Sequence, residues 1–356
     1  MGLFRTLVKR GVAIFGVVLL MLLFLTLVAG ASGVEERVLT ATLDYERALY
    51  RGSLRNQVGA GQIREEDVSG LVDEFYQAGV TRFRLDRPWW ERLLPMAVRI
   101  ATFDLGATSS FGRTPIYQDI AEALPNTLLL LTASVVISAP IGILIGASLA
   151  RRVRARSHSA PVLGSSIAFA VPGWWLGTAL TAALVLAWFG AGQLFVSRGG
   201  FRPQVGSIDP LFDLLYYWVL PIVSLAVPAL GFWIYQSRAI FYNISQEDFV
   251  TMAEAKGLPP RQVARKHILR VGLPPVLTQA GLVLHSTMMN SVPVEAIFGW
   301  HGLGFLIWRI VWTGGLEEWG NAGLLLGVTF AYGLIYAVLR FGMEILYVVL
   351  DPGVRY

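Results

Sequence analysis

The side chains that most often carry out chemistry are few in this sequence, and none is arranged as a catalytic site. The chain has no cysteine, which excludes disulfides, thiolate nucleophiles and cysteine metal sites. Its three lysines, Lys9, Lys256 and Lys266, are not followed by Ser or Thr, so a Walker-type nucleotide-binding loop is absent. The four histidines include no pair at positions i and i+4 beside a glutamate, as zinc-protease chemistry requires. We therefore expect no enzyme, no cofactor and no metal site.

A short segment with helix-capping residues at both ends is the most distinctive polar feature of the sequence. Ser245 can cap a helix over 246–256, and Gly257 can take the left-handed conformation that closes it. Pro260 suits the first turn of a second, basic helix over 261–271. The first helix has a small apolar ridge with a basic end, which suits either a groove on a partner protein or a layer of anionic lipid headgroups. The ridge consists of Phe249, Met252, Ala253 and Lys256.

Polar side chains within an apolar helix form a second candidate site, because a polar group that faces lipid is costly. Asn290, Ser291 and Glu295 lie in or just after one apolar stretch, and we expect them to mark a translocation path. Asn290 and Glu295 would then face a cavity. A structural alternative stays open for both residues, in which Glu295 pairs with Arg309 and Asn290 bonds to a neighbouring helix.

The elements that must position these residues are membrane spans. The chain is 54% hydrophobic and 15% charged, whereas soluble domains carry about 25% charged residues. A helix needs roughly 20 apolar residues to cross the hydrocarbon core, and six stretches without charge reach that length. We therefore expect an all-α polytopic membrane protein with six transmembrane helices, and no nucleic-acid partner, since the net charge is only +5. The stretches are 11–34, 123–150, 157–197 with a single span near 162–189, 214–237, 271–294 and 319–339.

Basic residues predict the orientation of these spans, because short loops rich in Arg and Lys stay in the cytoplasm. Six single spans place both termini in the cytoplasm, together with the segment 240–272 and a loop that holds Arg151, Arg152, Arg154 and Arg156. The first stretch is interpreted as a retained anchor, although its small residues near Ala31 also resemble the end of a cleavable signal.

Charge density predicts four divisions of the chain. Residues 35–122 are rich in charge and contain no apolar run long enough to cross a membrane, so we expect an extracytoplasmic domain between the first two spans. A helix over 88–102 either lies at the membrane interface or fills the core of this domain with its tryptophans. The divisions are 1–34 with the first span, 35–122 outside, 123–350 with five spans, and the tail 351–356.

Short motifs lie in order along nearly the whole chain, at 104–106, 124–128, 251–274, 294–304 and 350–356. Together they resemble the ABC importer permeases of the dipeptide, oligopeptide and nickel type. The resemblance is least between residue 35 and about residue 100. Thr251 and Met252 stand where the general importer motif has Glu and Ala, and His301 stands where Pro is usual. The matching motifs are 104–106, 124–128, 251–257 with Arg265, His267, Leu269, Arg270, Leu273 and Pro274, 294–300 with 302–304, and 350–356.

This resemblance implies the type I importer permease fold and a role as half of a path for peptides across the cell membrane. The implied partners are a second homologous permease, two cytoplasmic ATP-binding subunits and an external solute-binding protein. Nickel and oligosaccharide are alternative substrates, and a stand-alone channel or receptor is an alternative class. The helix over 246–256 would be the lever that the ATP-binding subunits move. The implied coupling residues are Phe249, Thr251, Met252, Ala253, Glu254, Ala255, Lys256, Gly257, Arg265 and His267.

Overall fold

The computed structural model is helical, with short 3-10 and π-helical turns between some of the α-helices. This architecture confirms the predicted all-α class. The helices form two compact units, each made of segments that are distant in sequence. The first unit contains Met1–Val12, Pro125–Phe305 and Val338–Tyr356, and the second unit contains Ala13–Leu124 and Leu306–Ala337. The structure describes residues 2–106, 115–150, 159–189, 211, 214–312 and 321–350.

The second unit contains most of the first apolar helix and the charged segment that follows it. The helices in the earlier part of its segment Ala13–Leu124 are α1 (Gly2–Ala31, which begins in the first unit), α2 (Val34–Gly59), α3 (Asp67–Phe83) and α4 (Leu93–Thr102). The apolar part of α1, Val8–Ala31, has 24 residues and is long enough to cross a membrane. Helices α2 and α3 pack closely, because Gly79 has no side chain where Leu43 approaches it.

A buried ion pair ties the start of α2 to the turn that precedes α4. Arg92 Nε donates to Glu35 Oε1 at 3.0 Å, and both side chains are buried. Arg92 Nη1 also donates to the carbonyl oxygens of Arg84, Leu85 and Arg87. Burial raises the pKa of the Glu35 carboxyl above its ordinary value, although Arg92 opposes this rise. In the described part of the chain, Glu35 Oε2 has no hydrogen-bond partner, so only one carboxyl oxygen is compensated for its lost hydration.

The first unit is a bundle of longer apolar helices joined by short ones. The helices that lie wholly or partly in it, after α1, are α5 (Ile116–Ala150), α6 (Ser159–Ala170), α7 (Gly173–Phe189), α8 (Leu220–Ser245), α9 (Asp248–Ala255), α10 (Pro260–Gln262), α11 (Arg270–Thr278), α12 (Ala280–Phe298), α13 (Leu303–Trp312) and α14 (Asn321–Leu350). Turns of π-helix precede α8 at Leu215–Val219 and join α10 to α11 at Val263–Leu269. Helix α8 packs against α6, α7 and α12. Small residues allow close approach, as where Gly142 and Gly146 of α5 meet Trp233 and Ser237 of α8.

Six membrane spans can be counted in the described residues when each of two bent helix pairs is taken as one span. Four single helices are long and apolar enough to cross: Val8–Ala31 within α1, Ile116–Ala150 (α5), Leu215–Ser245 with α8, and Asn321–Ile345 within α14. The other two candidates are bent, by 98° between α6 and α7 and by 43° before α12. These positions agree with the six predicted stretches. The arginine-rich loop at 151–156 and the tail at 351–356 lie outside the described residues.

The third candidate span differs in shape from the sequence prediction of one helix near 162–189. Helix α6 ends at Ala170 and α7 begins at Gly173, so the chain breaks at Val171 and Pro172. Proline has no N–H to continue the helical ladder, and it disfavours helical geometry in the residue before it. The break therefore follows from Pro172, which the absence of charge alone did not reveal.

Candidate functional site

The segment between α8 and α11 contains the predicted short helix, with a later start. Helix α9 runs over Asp248–Ala255, whereas the prediction was 246–256. The prediction that Ser245 caps it was wrong: Ser245 Oγ donates backwards to the Tyr242 carbonyl at 2.6 Å and belongs to the end of α8. Glu247 occupies the capping position and makes no side-chain cap bond.

The turn that closes α9 has the predicted geometry. Gly257 has φ 77°, in the left-handed region where a side chain is strained, and its N–H donates to the Glu254 carbonyl at 2.9 Å. Pro260 then starts the next helical turn. Sequence reasoning predicted both features because each depends on one residue type at one backbone position.

Helix α9 is held on the first unit by one buried face. Val250 and Ala253 are buried in a cluster with Phe241 of α8 and with Val263 and Ile268 of the π-helical turn. Ala253 therefore does not belong to the exposed ridge, which corrects that part of the prediction. Sequence reasoning did not select Val250, although its spacing of three residues from Ala253 on a helix was a usable signal.

The opposite face of α9 is open and apolar at its centre. Met252 is 58% exposed and faces away from the first unit, whereas Phe249, four residues before Ala253, lies at the edge of the buried face and is 40% exposed. Arg265 lies on the π-helical turn and is exposed, and His267 on the same turn is half-buried. The remaining exposed members of the predicted coupling set are Thr251, Glu254, Ala255, Lys256 and Gly257.

Asn290 lies beside the break between α6 and α7. Its Oδ1 accepts the N–H of Gly173 at 3.1 Å, and its Nδ2 donates to the Ser286 carbonyl at 2.9 Å. The predicted bond from Asn290 to a neighbouring helix is therefore present, since Gly173 starts α7. Asn290 also lines a cavity of about 390 Å³ within the first unit, and its place in a translocation path stays a prediction.

The cavity lies among α6, α7, α8 and α12 and has an uncharged lining. Its polar side chains are Ser286, Thr287 and Asn290, all on α12. The remainder of the lining is apolar side chain and backbone, including the break itself. The lining residues are Phe169, Ala170, Val171, Pro172, Gly173, Leu225, Pro228, Ala229, Phe232, Leu282, Val283, Ser286, Thr287 and Asn290.

Ser291 and Glu295 do not face this cavity, which corrects the expectation for Glu295. Both side chains are fully buried, and Ser291 Oγ donates to the Met288 carbonyl at 2.9 Å within α12. Arg309, the alternative partner predicted for Glu295, pairs with Asp119 at 2.8 Å. Neither interpretation from the sequence describes what Glu295 does.

Glu295 instead accepts three hydrogen bonds that fix the turn after α12. Its Oε1 accepts the Thr127 hydroxyl at 2.9 Å, and its Oε2 accepts the N–H groups of Gly304 at 2.7 Å and Phe305 at 3.2 Å. Thr127 accepts in turn from the N–H of Leu303 at 2.8 Å. A carboxylate suits this place because it is an acceptor at both oxygens.

This network brings together two motifs that are far apart in sequence. Trp300 Nε1 donates to the Asn126 carbonyl at 2.9 Å, and Asn126 Nδ2 donates to the His301 carbonyl at 2.8 Å. A Cβ atom at Gly302 would lie 2.4 Å from Glu295 Oε2, so glycine is required there by the close approach. The motifs at 124–128 and 294–304, noted separately in the sequence, are thus two sides of one structural site.

Comparisons with known proteins agree with this architecture. The family model described as "Binding-protein-dependent transport system inner membrane component" matches residues 138–356, which is more than half of the chain. The oligopeptide transport system permease protein AppB of Bacillus subtilis (strain 168) is 28% identical over 279 residues, 78% of this chain and 84% of AppB.

A second relative is the oligopeptide transport system permease protein OppB of Mycobacterium tuberculosis (strain ATCC 25618 / H37Rv). It is 30% identical over 275 residues, which cover 76% of this chain and 82% of OppB. The family match over residues 138–356 includes α9 and Glu295. The chain therefore belongs to the family of binding-protein-dependent transport system inner membrane components, and it is a multi-pass inner-membrane transport protein and not an enzyme.

Proposed function

We propose that this chain is one permease subunit of an ATP-driven peptide importer and forms half of its translocation path. The named relatives AppB and OppB are permeases of oligopeptide transport systems, which supports peptide as the substrate class. The uncharged cavity lining also favours an organic solute over nickel, because a bare metal ion needs His, Cys or carboxylate ligands.

The proposed orientation places both termini and α9 in the cytoplasm, and the segment between the first two spans outside. Basic residues support it: Arg238 lies in the last turns of α8, and Lys256, Arg261 and Arg265 follow α9 in the chain. Positively charged loops stay in the cytoplasm. A second homologous permease would complete the path, two ATP-binding subunits would supply energy, and an external binding protein would deliver the peptide.

The observation that carries the proposal is the two-faced geometry of α9. Its exposed side chains, Phe249 and Met252, provide an apolar surface for a groove on an ATP-binding subunit. Its buried side chains join a cluster that includes Phe241 of α8 and Val276 of α11. A push on α9 would therefore move α8 and α11 together as packed bodies, and the path would change its access from one side of the membrane to the other.

Substitution of Met252 tests this docking surface. Burying a Met side chain is worth about 1.5–3 kcal/mol, so Met252→Asp should weaken binding of the ATP-binding subunits by roughly tenfold to a hundredfold. Affinity between the purified permease pair and the ATP-binding subunits measures this, together with substrate-stimulated ATP hydrolysis. Leu49→Asp is the matched control, because Leu49 is also an exposed apolar residue on a helix, 53% exposed on α2. Equal affinities for Met252→Asp and the native chain would refute docking at α9.

A further inference from the structure

Helix α4 has an apolar ridge that the second unit leaves uncovered. Trp90, in the 3-10 turn before α4, is 60% exposed, and Leu94 and Val98 are 76% and 54% exposed. The three residues follow one another at intervals of four, so they lie on one face of the helical turns.

The opposite face of α4 is packed into the second unit. Met96 and Ile100 are buried, and so is Arg92 in the preceding turn, where it pairs with Glu35. Helix α4 therefore has one face fixed by its own unit and one apolar face without a partner in the described residues. A surface helix with this division requires an apolar surrounding for its second face.

The position of α4 along α1 identifies that surrounding. Trp89 packs directly on Gly30, where a Cβ atom would lie 2.4 Å from the indole ring. Gly30 is in the last turn of α1, at the end of the apolar span Val8–Ala31. The start of α4 is thus held at the level where α1 leaves the hydrocarbon core, which is the depth that tryptophan side chains prefer.

We propose that α4 is an interfacial membrane helix whose ridge, Trp90, Leu94 and Val98, enters the boundary between headgroups and acyl chains. The partner of this surface is the lipid bilayer, in the leaflet where α1 ends. The inference needs only that α1 crosses the membrane, and it is independent of the substrate and of the ATP-binding subunits. Because Arg92 joins the same turn to Glu35 of α2, insertion of the ridge also fixes how α2 leaves the membrane surface.

The native chain has no cysteine, so single cysteines can report the surroundings of each position without background. Leu94→Cys and Val98→Cys are made in the full chain, spin-labelled and reconstituted in bilayers. Collision rates of each label with oxygen, which concentrates in lipid, and with a water-soluble nickel chelate are then measured. Leu20→Cys, on an exposed position of α1 within its span, is the lipid reference, and Gln77→Cys, exposed on α3, is the water reference.

We expect both ridge labels to collide with oxygen more often, and with the nickel chelate less often, than the Gln77→Cys label. For each ridge label, the ratio of the oxygen collision rate to the nickel-chelate collision rate should lie between the ratios measured for Gln77→Cys and Leu20→Cys. Nickel collisions equal to those of Gln77→Cys would place the ridge in water and overturn the proposal. Low collision rates with both reagents would mean that protein covers the ridge, either a second copy of the chain or a binding partner, and would overturn it as well. The two ridge positions are independent, so misfolding of one variant leaves the other to decide.

Discussion

Glu295 illustrates how much one buried side chain can organise in this protein. It accepts hydrogen bonds from a hydroxyl 168 residues earlier in the chain and from two backbone N–H groups nine and ten residues later. A polar residue near the end of an apolar stretch suggests a translocation path, but its role depends on its hydrogen-bond partners. Those partners could not be predicted because Thr127 is distant in sequence and the segment 299–302, which joins α12 to α13, has no regular pattern.

Replacing Glu295 separates a hydrogen-bonding role from a path-lining role. Glu295→Leu leaves the N–H groups of Gly304 and Phe305 without acceptors, and each unsatisfied buried group costs about 1–3 kcal/mol. Glu295→Gln should cost less, because its amide oxygen can still accept both N–H groups. Unfolding midpoints in detergent measure the order of stabilities, with the exposed Glu254→Gln as the control. Native stability in Glu295→Leu, with transport lost, would contradict the structural role.

Glu35 makes the free energy of unfolding depend on pH. Its carboxyl has a pKa raised by burial, so the folded protein holds this proton more tightly than the unfolded chain. The stability that protonation provides is present below the ordinary value of 4.5 and is lost as the pH rises through the raised pKa. We expect the native unfolding midpoint to fall relative to that of Glu35→Gln over this range. Glu65→Gln, at an exposed position, should follow the native curve, and parallel curves for all three proteins would contradict the assignment.

At the scale of helices, single residues with strong backbone preferences were predictable. Gly257 and Pro260 determine the end of one helix and the start of the next, and both were identified from the sequence. The burial of Ala253 was not, because α9 has apolar residues on both sides and the sequence does not show which side meets α8. Helix α9 also starts two residues later than predicted. The reason is that the Ser245 hydroxyl can bond either to a carbonyl of its own helix or to the amides of the next one.

The break at Pro172 turns a predicted straight span into a bent one and leaves a cavity beside it. We expect Ser286→Trp to fill much of this space, because Ser286 lines the cavity and the indole is large. Peptide uptake in reconstituted vesicles should then be mostly lost, whereas basal ATP hydrolysis should persist, because α9 is unchanged. Ser69→Trp, at an exposed position on α3, is the size-matched control. Native uptake by Ser286→Trp would exclude the cavity from the path.

At the scale of the whole molecule, composition and the spacing of charges predicted the helical class and the positions of the spans. They could not predict how the helices are grouped, because residues 306–337 join residues 13–124 in one unit through contacts across a long stretch of chain. Boundaries drawn from charge follow the change from membrane to water, whereas the two units follow packing. The two kinds of boundary therefore need not fall at the same residues.

Cysteine labelling tests the proposed orientation in intact cells. Lys256→Cys follows α9 and Gln77→Cys lies on α3, and both positions are exposed in the structure. A membrane-impermeant maleimide added outside should label Gln77→Cys and leave Lys256→Cys unreacted until the membrane is permeabilised. The opposite pattern would invert the topology and remove α9 from the reach of any cytoplasmic ATP-binding subunit.

Helix α9 has only eight residues, and isolated helices shorter than about 12 residues are marginal in water. It can persist only where Val250 and Ala253 find α8 and the π-helical turn already in place. If one of these neighbours were inserted wrongly in the membrane, residues 248–255 would lack the contacts that keep them helical. The exposed surface of Phe249 and Met252 is therefore present as a helical face only after the membrane helices around it have packed correctly.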